Sequence, residues 1–412
     1  MRLAPAHFLL LALVALACVD RGEVLRPRAG EGPPEGGAGG EGSLPPPPPV
    51  VVSELALGLS HGAAIASQRL YLWGANESGQ LGQGDTVERR VPTELVTSLR
   101  FVSIASGDAY VCAIDDLGAV YCWGANERGQ LGQGDREGRL VPARVPLPSV
   151  SARAITASFG HVCALLSDAS LHCWGRNQEG ELGQDDGTPP MGSDTIADAL
   201  TPVAVPGNDW SFVDAGDGFT CGIRFDGTLW CWGRNSDFQL GTEPQGQVRR
   251  PIQVGLDNDW LRVDAGQQYA FALKQDHSLW CWGLNTASGS GEGFPLGIDT
   301  DRLEAPTRLG SATNWIAFAT RVFHTCAVNG ERELWCWGRG IEGQLGTGEL
   351  GLRTSPTLVA SDIADVAVTW FGTCALTTGG HLLCTGKNEH GEVGNGGTER
   401  PLRFTDVTPA AP

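Results

Sequence analysis

From residue 51 onward, short apolar runs alternate with clusters of Gly, Pro, Asp and Asn. The pattern is that of strands and turns rather than helices. Seven times a run closes on Trp-Gly or its equivalent, at Trp73-Gly74, Trp123-Gly124, Trp174-Gly175, Trp232-Gly233, Trp282-Gly283, Trp337-Gly338 and the degenerate Thr385-Gly386. The successive spacings are 50, 51, 58, 50, 55 and 48 residues. A fixed period of this length marks a repeat architecture. One unit reads Phe212-Val213-Asp214-Ala215-Gly216, Phe219-Thr220-Cys221-Gly222-Ile223, a turn at Asp226-Gly227, and Leu229-Trp230-Cys231-Trp232-Gly233. The two central runs form a hairpin around Asp-Gly. A loop ending in Gln239-Leu240-Gly241 follows, and then a Pro-led strand from Pro251. The same Pro recurs at Pro92, Pro142, Pro202, Pro306, Pro356 and Pro401. Proline donates no ladder hydrogen bond, so this strand is expected at the start of an outer edge. Four short strands in each of seven units predict an all-β, seven-bladed β-propeller over residues 51–408 with a tail at 409–412. The first strand (51–57) and the last (401–407) meet at one point of the ring, and their pairing, within or between the end blades, is expected to close it.

The segment before the repeat has another character. Arg2, the apolar run from Phe8 to Leu16 and the small-x-small pattern Ala15-Leu16-Ala17 read as a signal peptide over residues 1–17. The apolar run is too short to span a bilayer permanently. Leu16-Ala17-Cys18 also resembles a bacterial lipobox, with Ala15 departing from the preferred Leu. Both readings cut the same bond, and the tether that follows favours lipidation of Cys18. That tether, residues 18–50, is rich in Gly and Pro, ends in the run Pro45 to Pro49 and has almost no apolar residues to bury, so it is expected to be disordered. The protein is therefore expected to be exported, either secreted or held at a bacterial cell envelope, and to touch membrane only through a lipid anchor.

The elements of the unit carry a specific resemblance. Ala-Gly-x-x-His/aromatic-x-Cys/Ala-Ala-Leu, Asp-Gly, Leu-x-Cys-Trp-Gly-x-Asn and Gly-Gln-Leu-Gly together resemble the regulator of chromosome condensation repeat, over about residues 51–408. The resemblance implies a seven-bladed propeller that recognises proteins. It also brings the family's founding role, nucleotide exchange on a small GTPase with chromatin attachment, which export would prevent. The formal charge of −18 makes nucleic acid and anionic membrane surfaces poor partners.

Ten of the 12 cysteines fall in pairs ten residues apart across the hairpin turn: Cys112/Cys122, Cys163/Cys173, Cys221/Cys231, Cys326/Cys336 and Cys374/Cys384. Residues opposite one another on such a hairpin lie within disulfide reach, and export supplies an oxidising compartment. Five bridges are expected. The competing readings are a small buried apolar residue, as at Ala63 and Leu72 of the first unit, and zinc, for which the short Cys-x-x-Cys knuckle is missing. Cys281 faces Phe271 and is expected to be a lone buried thiol; the alternative, if Cys18 is not lipidated, is that the long tether lets Cys18 and Cys281 pair.

Candidate chemistry is sparse. His61, His161 and His324 occupy one slot that elsewhere holds Tyr110, Phe219, Tyr269 and Gly372, which favours packing over catalysis or metal binding. Asp185, Asp186, Asp194 and Asp198 lie in an insertion without the Asp-x-Asp-x-Asp-Gly spacing of a Ca²⁺ loop. No Ser/His/Asp set, zinc motif or phosphate-binding fingerprint is present, so no cofactor and no enzymatic activity are expected. Function is sought where the repeat breaks, in the insertions around residues 185–199 and 286–303. The candidate contacts there are Asp185, Asp186, Met191, Asp194, Glu292, Phe294, Asp299 and Asp301. The expectation is a monomeric scaffold for an unidentified protein partner. The alternative is an enzyme with a polar site in the central channel, which requires carboxylates facing inward from several blades.

Overall fold

The computed structural model describes residues 50–184, 197–244, 246–286 and 295–409. Cys18, the signal peptide, the tether up to residue 49 and Asp185, Asp186, Met191, Asp194, Glu292 and Phe294 lie outside the described residues. The described chain forms seven four-stranded antiparallel sheets, each built from consecutive strands. In the first blade the strands are Val52–Leu57, His61–Ala66, Arg69–Gly74 and Arg89–Glu94, ordered from the axis outward. The inner strands of the other blades are Phe101–Ser106, Ala152–Ala157, Trp210–Ala215, Trp260–Ala265, Trp315–Thr320 and Ile363–Val368. This is the seven-bladed propeller expected from the period.

The repeated motif becomes a latch between blades. The Trp of each Trp-Gly is buried, and its indole N–H donates to a loop carbonyl of the preceding blade. The pairs are Trp123 to Gln80 (3.0 Å), Trp174 to Gln130 (2.9 Å), Trp232 to Glu181 (2.9 Å), Trp282 to Gln239 (2.9 Å) and Trp337 to Pro295 (2.8 Å). The ring rests on the last Gly of the Gly-Gln-Leu-Gly loop. Gly132 has φ +67°, and a Cβ there would stand 2.7 Å from Nε1 of Trp174. Both the backbone conformation and the approaching ring exclude a side chain. The motif Asn fixes the same loop: Asn126 Oδ1 accepts from Leu131 N at 2.9 Å, and its Nδ2 donates to the carbonyls of Asp135 and Glu137.

The seventh blade keeps the latch with other residues. Thr385 stands in place of Trp, and its Oγ1 donates to the Gly343 carbonyl at 3.1 Å. Phe404 supplies the ring, packing on Gly346 where the other blades place indole. The ring closes without strand exchange. The first strand stays in the first blade, and the last, Thr405–Asp406, stays in the seventh. Closure comes from Trp73 Nε1 donating to the Glu392 carbonyl (2.8 Å), Val52 N to Gly380 O (3.1 Å) and Gly396 N to Arg90 O (2.8 Å).

The outer strands correct one expectation. Proline does not begin them: Pro92 and Pro142 are the fourth residues of Arg89–Glu94 and Arg139–Arg144, and Pro401 precedes the short Thr405–Asp406 altogether. Each of these two prolines sits beside a register shift opposite the Trp, between Leu72/Gly74 and Cys122/Gly124. A bulge on an edge strand leaves that residue's N–H unneeded, so a mid-strand proline is tolerated.

The five bridges join Cys112–Cys122, Cys163–Cys173, Cys221–Cys231, Cys326–Cys336 and Cys374–Cys384 across the central hairpins, with Cα atoms 4.1 Å apart in each. Ala63 faces Leu72 in the first blade and Phe271 faces Cys281 in the fifth. Among the described residues the Cys281 thiol has no disulfide partner; it is buried, and burial pushes it up to about 12.

Candidate binding face and central channel

The seven inner strands line a channel of about 300 Å³. It carries carboxylates from three blades: Asp214 and Asp264 from the fourth and fifth, and Asp365 from the seventh, with Arg262 and Arg321 among them. Glu54 lies on the first inner strand beside them. Inward carboxylates from several blades are what a channel enzyme requires. Their bonding shows what they do in the fold. Glu54 Oε1 accepts from Ser103 Oγ (2.9 Å) and Ile104 N (3.0 Å) of the second blade. Asp214 accepts from Thr156 Oγ1 of the third blade (2.7 Å) and Ala265 N of the fifth (2.8 Å). Asp264 Oδ2 accepts from Thr320 N of the sixth (3.1 Å). Each bolts one inner strand to the next. Burial between the blades raises the Glu54 and Asp214 carboxyls, and burial with the neighbouring Asp214 charge holds Asp264 well above the usual range. Arg321 extends across the far end of the channel towards Asp108 (3.8 Å). Burial raises Asp108 to about 6 despite that partner. Among the described residues no three His, Cys, Asp or Glu side chains are placed to hold a metal ion.

The three histidines are buried in the blade junctions. His161 Nε2 meets Thr220 Oγ1 of the next blade at 2.9 Å, and His324 Nε2 meets Thr373 Oγ1 at 2.8 Å. Val111 holds the corresponding place in the second blade, and neither ring nitrogen of His61 has a hydrogen-bond partner. Burial lowers His61 to about 4 and the other two to about 3, so all three are neutral near pH 7.

The two ends of the channel differ. At one, the tips of the central hairpins alternate with the links between blades. At the other, the turns after each inner strand surround the mouth, and the long loops after each Trp-Gly lie outside them. The described ends of both insertions, residues 184, 197–199, 286 and 295–303, leave from the second face, with Asp299 and Asp301 exposed. That face also bears an aromatic platform that sequence reasoning passed over. Phe323 stacks on Phe371 (5.5 Å between centroids), and Trp370 meets both at 6.1 and 6.2 Å. Arg339 lies 4.9 Å over Phe323 and Lys387 5.8 Å over Phe371. Phe159, 42% exposed, lies under Arg176 at 5.5 Å. The signal was present: these turns read Val322-Phe323 and Trp370-Phe371 where other blades place Asp108-Ala109, Asp217-Gly218 and Gln267-Gln268.

Comparison with known proteins agrees with this architecture. The family model described as RCC1-like domain matches residues 39–321, and models of the regulator of chromosome condensation (RCC1) repeat match residues 333–376 and 363–392. The chain is 28% identical over 200 residues to the ultraviolet-B receptor UVR8 of Arabidopsis thaliana, covering 45% of this chain and 43% of that protein. The chain thus spans less than half the length of that relative. Human WBSCR16 superposes with a TM-score of 0.71 at 21% identity, over 82% of this chain and 94% of that one. Prp20p of Saccharomyces cerevisiae superposes with a TM-score of 0.70 at 21% identity, over 87% of each chain. Relatives at this distance share the fold. The chain belongs to the RCC1-like domain family.

Proposed function

We propose that this protein is a non-enzymatic propeller scaffold that binds a protein partner through the face carrying the aromatic platform and both insertions. The observation that carries the reading is the platform itself. Three half-buried rings, at turn positions where other blades place Asp108-Ala109, Asp217-Gly218 and Gln267-Gln268, pack on one another beside two cations on this face. Aromatic and Arg side chains dominate the energetic centres of protein interfaces. Among the channel carboxylates, by contrast, Glu54, Asp214 and Asp264 are committed to neighbouring blades, and the exposed Asp365 accepts from the N–H of Val366 beside it. The solved relatives include Prp20p studied for its binding to Gsp1p and histones, and Kap60 bound to yeast RCC1. Docking is thus a use to which this fold is put.

Five hairpin disulfides fit an oxidising compartment. Residues 1–17 act as the export signal, Cys18 as the lipid attachment point and residues 18–50 as the tether that holds the propeller off a bacterial membrane. Export separates the chain from a GTPase-exchange role. Growth with a labelled fatty acid tests the anchor: label is expected on the full chain and absent from Cys18→Ser, and unlabelled wild-type protein rejects it. Affinity capture with the full chain tests the face. Phe323→Ala/Trp370→Ala is expected to lose most of the captured partner, and shortening both insertions to weaken capture further. Unchanged capture by both variants rejects the assignment.

A further inference from the structure

Four blades place a basic residue in the same corner, and three of them pair or bond it. The corner is formed by the residue that leads into the third strand and the outer-strand residue paired two positions further on. In the first blade the two are Arg69 and Glu94, joined at 3.0 Å. In the seventh they are His381 and Asp406, joined at 2.9 Å. In the fifth they are Ser278 and Arg308, and Arg308 Nη2 donates to the link carbonyls of Ser311 (3.0 Å) and Ala312 (3.3 Å). The second blade places Ala119 and Arg144 there, and Ala119 offers no acceptor side chain. Among the described residues the exposed Arg144 makes no ion pair and donates no side-chain hydrogen bond.

Arg144 lines a groove of about 370 Å³ between the hairpin tip of the second blade and the link that leads to the third. The matching groove of the first blade, about 240 Å³, contains the Arg69–Glu94 pair. In the second blade Leu117, Tyr121, Pro148 and Val150 supply apolar surface, and Leu117 is 81% exposed. The charged residues of the lining are Arg144 and Asp115. Asp115 is buried, and its Oδ1 accepts from Leu117 N (3.0 Å) and Ala119 N (2.8 Å). Burial and the Asp115 charge raise the Tyr121 hydroxyl while the Arg144 charge opposes them, so the guanidinium lies near that ring. Small-molecule sites are concave and largely apolar, start at about 300 Å³ and carry a few polar groups that fix orientation. The groove meets these conditions, and its charged group without a partner is a cation.

We propose that this groove binds a small apolar carboxylate. The anion pairs with Arg144, in the role that Glu94 and Asp406 play towards Arg69 and His381, and the hydrocarbon body rests on Leu117, Tyr121, Pro148 and Val150. The groove lies at the hairpin-tip end of the blades, away from the aromatic platform, so the proposal goes beyond the scaffold reading and does not depend on it.

The probe is 3-phenylpropionate, compared with its neutral isostere 3-phenylpropanamide. Each is titrated into the full chain and followed by ligand-observed NMR. Saturable binding of the carboxylate with a Kd of roughly 1 mM is expected. The amide should bind about threefold more weakly, the worth of one exposed ion pair. Arg144→Gln is expected to bring the carboxylate down to the level of the amide and to leave the amide unchanged. Ala119→Glu, which supplies an internal carboxylate at the corner, should likewise remove the preference for the carboxylate. Arg69→Gln, at the matching corner of the first blade, should alter neither ligand. Absence of saturable binding, equal affinity for the two probes, or a preference for the carboxylate that survives in Arg144→Gln overturns the proposal. So does a preference lost equally in Arg69→Gln, which would place the carboxylate elsewhere.

Discussion

At the scale of single residues, the indoles do two things at once: they fill a blade junction and satisfy a buried loop carbonyl. Trp174→Ala should therefore cost about 3–5 kcal/mol, the range for removing a large buried ring. Trp174→Phe keeps most of the packing but leaves the Gln130 carbonyl without its donor, for about 1–3 kcal/mol. Urea midpoints of the two variants measure the difference, and a Trp174→Phe midpoint equal to that of wild type would show that the hydrogen bond contributes nothing. The buried histidines give the junctions a pH dependence. His161 is neutral in the folded state down to about pH 3, whereas its ordinary value is 6.5. Between those limits the unfolded chain binds more protons, so its contribution is complete above about pH 6.5 and is lost as the pH falls. His161→Phe, with the ring that Phe219 supplies in the next blade, should flatten this loss by up to about 1.4 kcal/mol per pH unit. Denaturant midpoints at pH 7 and pH 5 test it, and parallel slopes for variant and wild type would refute it.

At the scale of the elements, the hairpin is the unit that the disulfides reinforce. Each closes a short loop, worth about 2–3 kcal/mol in the chain-entropy account. The first blade, with Ala63 opposite Leu72, shows that the hairpin forms without a bridge. Cys163→Ala/Cys173→Leu, the first blade's own pair, should thus keep the fold and lower the unfolding free energy by about that amount; loss of the native circular dichroism spectrum would mean that the bridge is needed to form the blade. The hairpins were legible because their two runs and the Asp-Gly turn are local in sequence. The outer strands were legible only in part. Proline marked them, but its position within the strand depends on a bulge opposite the Trp, and a bulge is set by pairing between strands rather than by the strand's own residues.

At the scale of the whole molecule, the period foretold the number of blades, because each Trp-Gly closure is one junction in the ring. It did not foretell how the ring closes. The seventh blade substitutes Phe404, 19 residues after Thr385, for the missing indole, and such a replacement shows only in space. The channel carboxylates were likewise hidden: Asp214 and Asp264 recur at one register position, but only their bonds to neighbouring blades reveal bolts rather than a reactive centre. The aromatic platform joins turns that are distant in sequence, so its rings looked isolated along the chain. The central claim is that binding belongs to this face. Quantitative capture by the full chain measures it, comparing Phe323→Ala/Trp370→Ala with Leu117→Ala/Phe225→Ala, a pair of exposed residues at hairpin tips on the opposite face. The account predicts that capture falls at least tenfold in the first variant and is unchanged in the second; capture retained by the first, or lost equally by both, contradicts it.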